Sequence, residues 1–298
     1  MSLDIARHYK TLDDRIIIHN NNTFLCMLEN HNQALKKISP LSKYTKMVLG
    51  DDFIFNDCIE KMVEVAEFDS NVGIVCSYRL LGNEVAGLGL PIANNPKGYS
   101  VFNGNKICRY QLLRSDIYIF GNPTAVMYKS DIIRSRYKFF NEQSLFADAD
   151  VCFEILKKYN LGFINQVLSY ARVDNNSFSL SILDFRPSLP AKVEFLNKYG
   201  NYYLDSLEYR DRYNNLMNEY YDYFGWKYFT QKKKEFWEFH EKELDKIGIK
   251  IKKLRILKHS IIYLFDNLLN PKKTIEYIRK KYIKYENYTI DIENEYRC

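Results

Sequence analysis

The spacing of apolar positions along this chain changes several times, and each change marks an element. Asp4 to Tyr9 has the rhythm of a short helix. Arg15 to His19, R-I-I-I-H, is a short apolar run of the kind a buried strand makes. Asn20 to Asn22 turn the chain. From Thr23 to Ile38, helical spacing places Phe24, Met27, Leu28 and Leu35 on one face until Ser39-Pro40 stops it. Tyr44 to Leu49 reads as the next strand, and a helix follows from about Asp57 to Phe68 with Ile59, Met62, Val63 and Ala66 on one face. Val72 to Tyr78 is again a strand. This alternation predicts an open, mostly parallel sheet with right-handed crossovers.

The rhythm breaks at Arg79. The glycine-rich segment from Leu80 to Asn105 reads as a long functional loop. Beyond it the spacing predicts a helix over Ile107 to Arg114 and, after Phe120-Gly121-Asn122-Pro123, a strand over Thr124 to Tyr128. Helices over Ser130 to Arg136 and Asp148 to Tyr159 follow, the second with a core stripe of Val151, Cys152, Ile155 and Tyr159. Gly162 to Tyr170 is a strand returning to the sheet. After Ser179 the chain reads as helical to its end, with breaks near Pro187, Gly200, Gly225, Gly248 and Pro271. The reading is therefore an α/β domain over residues 1–183 and an all-helical, basic region over residues 184–298.

Composition narrows the class. With 298 residues, 46% apolar and 15% aromatic, the chain can bury a substantial core and does not have the profile of disorder. No internal repeat or low-complexity tract stands out. The net charge of +6 is uneven: Lys246 to Lys284 holds twelve Lys or Arg against Asp266 and Glu276. A basic tail of this kind suits an anionic surface. Because its lysines alternate with an apolar stripe, I-I-Y-L-F, a membrane surface or a core face fits better than nucleic acid. The six cysteines are scattered with no CxxC pair, which predicts reduced core thiols, no structural zinc and no disulfide frame. The N-terminus carries no signal-peptide core, and Ser260 to Leu269, the longest apolar stretch, is too short to span a bilayer and contains Asp266. The expected location is cytoplasmic, with a peripheral contact at the inner face of the cell membrane.

The candidate chemistry is carried by carboxylates. The histidines form no constellation, and the glycines form neither a dinucleotide nor a P-loop fingerprint. In K-M-V-L-G-D-D-F-I-F, a strand ends in adjacent carboxylates, Asp51 and Asp52, whose side chains diverge. One could hold magnesium or manganese against a diphosphate while the other holds the loop. Both could equally be acidic caps favoured by the dipole of the following helix. In F-A-D-A-D-V-C, Asp148 and Asp150 open a helix, either as caps or with one facing a cleft as a general base for a hydroxyl nucleophile. Arg172 is a candidate phosphate ligand through its fork of donors, or a solvated arginine.

These residues lie in stretches that resemble the family 2 glycosyltransferases of the GT-A fold with a helical C-terminal extension. The resemblance runs through K-M-V-L-G-D-D-F-I-F-N-D-C-I-E-K-M-V, V-G-I-V-C-S-Y-R and the glycine-rich segment after it. It continues through N-G-N-K-I-C-R, F-G-N-P-T-A-V-M-Y-K-S, D-A-D-V-C-F-E-I-L and Y-A-R-V-D-N-N-S-F-S, so it covers roughly residues 1–180. It implies transfer of a sugar from a nucleotide-diphosphate sugar, a UDP-sugar by family habit, to a hydroxyl of a glycan or lipid-linked glycan, with inversion. It puts the metal motif on Leu49-Gly50-Asp51, with Asp51 as ligand to Mn2+ or Mg2+ and Asp52 beside it. It puts the catalytic base on Asp148, with Asp150 as helper or acceptor contact, and Asn30 and Asn32 on the donor side. The stretch from Asn175 to Ser179 matches a segment that closes over donor phosphates. Three positions depart from the family pattern: Leu49 where an aspartate is usual, Ala147 where a glutamate is usual, and no histidine around Val173 to Asn175. The family's first two strands should precede Asp4, so the sheet is expected to be N-terminally incomplete, with exposed apolar surface and room for a second copy or a partner protein. The alternative function is a catalytically defective module that binds carbohydrate or protein.

Overall fold

The computed structural model describes residues 2–82, 84–86, 98–114, 119–173, 185–231 and 233–269. The chain divides into two compact units. The first comprises Met1–Pro187 and Lys198–Asp205, and the second Ser188–Asn197 and Ser206–Cys298.

The first unit is mixed α/β. It opens with helices α1 (Ser2–Leu12) and α2 (Met27–Leu35), followed by β1 (Tyr44–Lys46), β2 (Phe53–Ile54), α3 (Cys58–Phe68), β3 (Val72–Leu81), β4 (Glu84–Ala86) and β5 (Tyr99–Phe102). Then come α4 (Gly104–Leu113), a 3-10 turn (Pro123–Ala125), β6 (Val126–Lys129), α5 (Ser130–Arg134), α6 (Ala147–Leu156) and β7 (Asn160–Ala171). The strands form one seven-stranded sheet in the order β1-β6-β3-β7-β2, with β4 on β3 and β5 on β7.

The sheet corrects the expectation of mostly parallel pairing. Among the described residues only β3 and β7 run parallel; the other pairs, β1–β6, β3–β6, β3–β4, β2–β7 and β5–β7, are antiparallel. Periodicity marks where strands are, but direction depends on the edge from which the chain re-enters. Gly121 to Ala125 re-enters at the edge where β3 ends, so β6 has to run back against it. Register shifts between Ser77 and Arg79 break the β3–β7 ladder. The first half of β7 takes β5 as its other neighbour and the second half takes β2.

Alternation in β3 sorts the two faces. Val72 and Val75 pack with Met127, Ile164 and Leu168 against Cys58, Met62, Val65 and Ala66 of α3. On the other face, Cys76 and Tyr128 meet Cys152, and Phe120 meets Phe153 of α6 edge-on at 5.2 Å. The expected strand at Arg15 to His19 does not form: the segment is irregular and Ile17 is 83% exposed. An apolar run becomes a strand only when a neighbour takes its backbone hydrogen bonds, and this one has none to pair with among the described residues. Large apolar side chains are exposed beside the sheet's β1 edge, including Leu41 and Val48.

The second unit is helical. The helix α7 (Ser188–Tyr203) gives its first ten residues to this unit and its last six to the first. It is followed by α8 (Ser206–Thr230), α9 (Lys234–Asp245) and α10 (Lys253–Leu269). Two expected breaks are absent, since α7 runs through Gly200 and α8 through Gly225. Gly225 is there for packing: a Cβ would sit 2.7 Å from the carbonyl carbon of His259 in α10. Tyr220, Phe224 and Phe236 are fully buried around His240, whose Nδ1 lies 2.6 Å from the Tyr220 hydroxyl.

Candidate active site at the carboxyl edge of the sheet

The chain after β1 turns at Asp51 and Asp52 and enters the two-residue β2. Asp51 is exposed. Asp52 is half-buried, and both its oxygens are taken. Oδ1 accepts the Arg172 backbone N–H at 3.0 Å. Oδ2 accepts the Thr124 hydroxyl at 2.5 Å and the Asn122 amide at 3.2 Å. The Thr124 hydroxyl also accepts the Leu49 N–H at 3.2 Å. Asp52 therefore ties the acidic loop to the turn before β6 and to the end of β7. The divergent pair splits its tasks: Asp52 holds the loop, and Asp51 is left at the surface.

The turn is itself shaped for this. Asn122 caps it by accepting the Ala125 N–H at 3.2 Å, and Pro123 fits the first helical position. Gly121 has φ +73°, and a Cβ there would lie 3.0 Å from Nη1 of the buried Arg79. On β1, Lys46 donates its ammonium to the carbonyl of Thr124, and the Val126 carbonyl lies 3.5 Å away. Desolvation lowers the Lys46 pKa to about 8, opposed only in part by the nearby Cys58 and Cys76 thiols. Burial in turn pushes Cys76 up to about 12, so it is an inert core thiol.

Asp148 reaches the same edge through α6. Tyr159, just past the end of that helix, packs on Gly73 at the start of β3. Cys152 is close to Cys76 at mid-strand. The helix thus runs opposite to β3, and its first turn, with Asp148, lies towards the edge where β3 ends. Asp148 is half-buried, and its Oδ1 accepts the Ala149 N–H at 2.9 Å. A carboxylate in the first helical turn is favoured by the dipole.

Asp150 and Asn32 have different surroundings. Asp150 is 3% exposed. It is bridged by Lys198 Nζ at 2.7 and 2.9 Å and by the Tyr199 hydroxyl at 2.7 Å, so it fastens α6 to α7 within the first unit. Burial, and then the Asp150 charge, raises the Tyr199 phenol far above its ordinary pKa, which keeps it a donor. Asn32 is also buried. Its amide donates to the Phe140 carbonyl at 2.9 Å and to Glu142 at 3.0 Å, and its oxygen accepts the N–H groups of Phe139 and Phe140. That uses its whole hydrogen-bonding capacity to pin the loop before α6. Arg172 is exposed at the end of β7. The segment from Asn175 to Ser179 lies outside the described residues.

The sheet edge thus joins the Asp51–Asp52 loop to the backbone of Arg172, with Asp148 on the helix end that faces the same edge, while Asp150 and Asn32 make internal contacts. Sequence reading did not single out Thr124, Asn122 or Lys46. The N-P-T sequence was the available signal for the first two, since it spells a capped turn. For a divalent ion, the donor set is sparse: among the described residues no group of three His, Cys, Asp or Glu side chains converges. Asp52 already accepts three hydrogen bonds, whereas Asp51 is exposed. One carboxylate fits magnesium or manganese only where substrate phosphates and water complete the shell, which is the habit of magnesium.

No protein-family model matches the chain, and no curated relative does. Among solved structures, similarity is found to TarS of S. aureus in three forms. The fragment 1–349 in complex with UDP is 14% identical with a TM-score of 0.39, over 64% of this chain and 50% of that one. TarS itself gives 15% and 0.45, over 74% and 35%. The fragment 1–349 alone gives 14% and 0.46, over 78% and 63%. The chain thus spans less than two thirds of each. Likeness at this level assigns neither a fold family nor an activity.

Proposed function

We propose that this chain is a glycosyltransferase of GT-A type that moves a sugar from a nucleotide-diphosphate donor, a UDP-sugar in the first instance, to a hydroxyl of a glycan or lipid-linked glycan. The observation that supports this reading is that the Asp51–Asp52 loop lies at the edge where β3 and β7 end and that the first turn of α6 points towards that same edge. These are the two acidic motifs of the family resemblance, about a hundred residues apart in the chain. Ligands of open α/β sheets bind at the carboxyl ends of the strands.

In this reading Asp51 is the residue that would hold Mn2+ or Mg2+ alongside the donor phosphates. The bound ion would supply charge neutralisation to the diphosphate as it leaves. Asp148 takes the proton of the acceptor hydroxyl as its oxygen attacks the anomeric carbon from the face opposite the diphosphate, which inverts that centre. The new bond is acceptor oxygen to carbon, the bond broken is carbon to phosphate oxygen, and the nucleoside diphosphate carries away the electron pair. Asp52 acts as a positioning residue by fixing the loop that presents Asp51. Arg172, exposed beside it, is placed to meet phosphate oxygens. Asp150 positions α6, and hence Asp148, without touching substrate.

Calorimetric titration of the chain with UDP and GDP, with and without Mn2+, tests the donor site. The expected result is metal-dependent binding that Asp51→Ala abolishes and Asp148→Ala retains. A folded chain that binds neither nucleotide under any condition overturns the reading in favour of a non-catalytic module that binds carbohydrate or protein.

A further inference from the structure

The last described helix packs one side within its unit and carries an exposed apolar stripe on the other. One side of α10 is packed within its own unit. Ile256 and Ser260 are buried, Arg255 lies 4.2 Å over the ring of Tyr221, and His259 Nδ1 meets Asp222 at 2.6 Å. The other side carries Leu254, Leu257, Ile261, Leu264, Phe265 and Leu268, between 46% and 83% exposed. Their spacing of three and four residues makes a continuous stripe. The stripe leads into an apolar concavity of about 460 Å3 lined by Tyr228, Trp237, Lys253, Leu254, Ile256 and Leu257. An exposed apolar stripe of this length is a contact surface.

Charge says what it meets. From Lys246 to Leu269 the chain has Lys246, Lys250, Lys252, Lys253, Arg255 and Lys258 against a single acidic residue, Asp266. Lys250, Lys252, Lys253 and Lys258 are exposed. An apolar stripe edged by lysines, with a tryptophan and a tyrosine beside it, is what an interfacial helix offers to acyl chains and anionic headgroups together. No helix among the described residues is long and apolar enough to cross a membrane, so the contact is with the surface.

We propose that the outward face of α10 docks on an anionic phospholipid surface, with the stripe entering the acyl boundary and Lys252, Lys253 and Lys258 meeting the headgroups. This stands apart from the transfer reaction and does not depend on it.

Flotation of the full chain with vesicles of phosphatidylcholine alone, and of phosphatidylcholine mixed with phosphatidylglycerol, tests it. The expected result is partition onto the anionic vesicles only, weakened by salt. Lys253→Glu with Lys258→Glu lowers the partition coefficient about thirtyfold or more, since two attractive charges near the anionic surface become repulsive. Leu254→Ser with Leu268→Ser has a comparable effect, with an unchanged thermal midpoint because both side chains are exposed. Absence of partition, or partition that neither double variant changes, overturns the proposal. A concentration-dependent dimer that Leu254→Ser with Leu268→Ser dissolves, without vesicle binding, assigns the face to a second copy and overturns it equally.

Discussion

Asp52 accepts the backbone N–H of Arg172 at 3.0 Å, a bond between the loop after β1 and the end of a strand 120 residues later. With the Thr124 hydroxyl and Asn122 amide on its other oxygen, this carboxylate closes the candidate site from three directions. Asp52→Ala should therefore loosen the acidic loop as well as destabilise the fold. Loss of one hydrogen bond to a charged group costs about 1.5–3 kcal/mol. Thr124→Val removes one partner and should cost about 1–3 kcal/mol in urea unfolding, with a double-mutant coupling to Asp52 above about 0.5 kcal/mol. Additive effects of the two substitutions would show that the bond does not hold the loop.

Asp148→Asn should separate chemistry from binding. The amide cannot take a proton but keeps the shape, so nucleotide affinity and unfolding midpoint stay level while turnover drops by about 10²–10⁴. Release of nucleoside diphosphate from a UDP-sugar in the presence of acceptor is the readout. Turnover equal to wild type would remove Asp148 from the role of base.

Lys198→Met should lower stability. It leaves the Asp150 carboxylate buried with the Tyr199 hydroxyl as its remaining side-chain partner. Breaking a buried pair costs about 3–5 kcal/mol. Since the Lys198 side chain is 39% exposed, solvent screening reduces this to about 1–2 kcal/mol. Chemical denaturation of the variant reads it directly, and a loss below about 0.5 kcal/mol would mark the bridge as incidental.

Lys46 gives the fold a defined pH response. Its folded-state pKa of about 8 lies below the ordinary lysine value of 10.5, so between those values the unfolded chain binds the extra proton. Stability then rises with pH across that window, and the Lys46 penalty is fully present below pH 8. From pH 7 to pH 9 the gain is about 1 kcal/mol in wild type, and it disappears in Lys46→Met. Parallel urea titrations of the two proteins check this.

Gly225→Ala should be costly despite the better helix propensity of alanine. The added methyl meets the backbone of His259 and Ser260 at 2.7–2.9 Å, and overpacking of this kind costs about 1–3 kcal/mol. A stabilised variant would mean that α10 shifts freely on α8.

The sequence by itself determined the elements whose packing faces are written in local spacing. The helices at Cys58–Phe68 and Ala147–Leu156 and the strands β3 and β7 lie where apolar periodicity puts them, although the first helix buries Cys58 and Val65 in place of the expected Ile59, and the second is buried on almost every side. The two acidic motifs were legible as carboxylates at element ends. Strand direction was decided only by the tertiary structure, since β6 runs against β3 because of where Gly121 to Ala125 turns. So was the fate of each polar side chain. Asp51 and Asp52 are adjacent and chemically identical, yet one is exposed and the other accepts three hydrogen bonds from groups 70 to 120 residues away. Asp150 resembled Asp148 until Lys198 and Tyr199 enclosed it. The Gly225 helix ran on because His259 packs against it. Hydrogen-bond partners distant in sequence leave no local signal, and those partners decide which carboxylates remain available for chemistry.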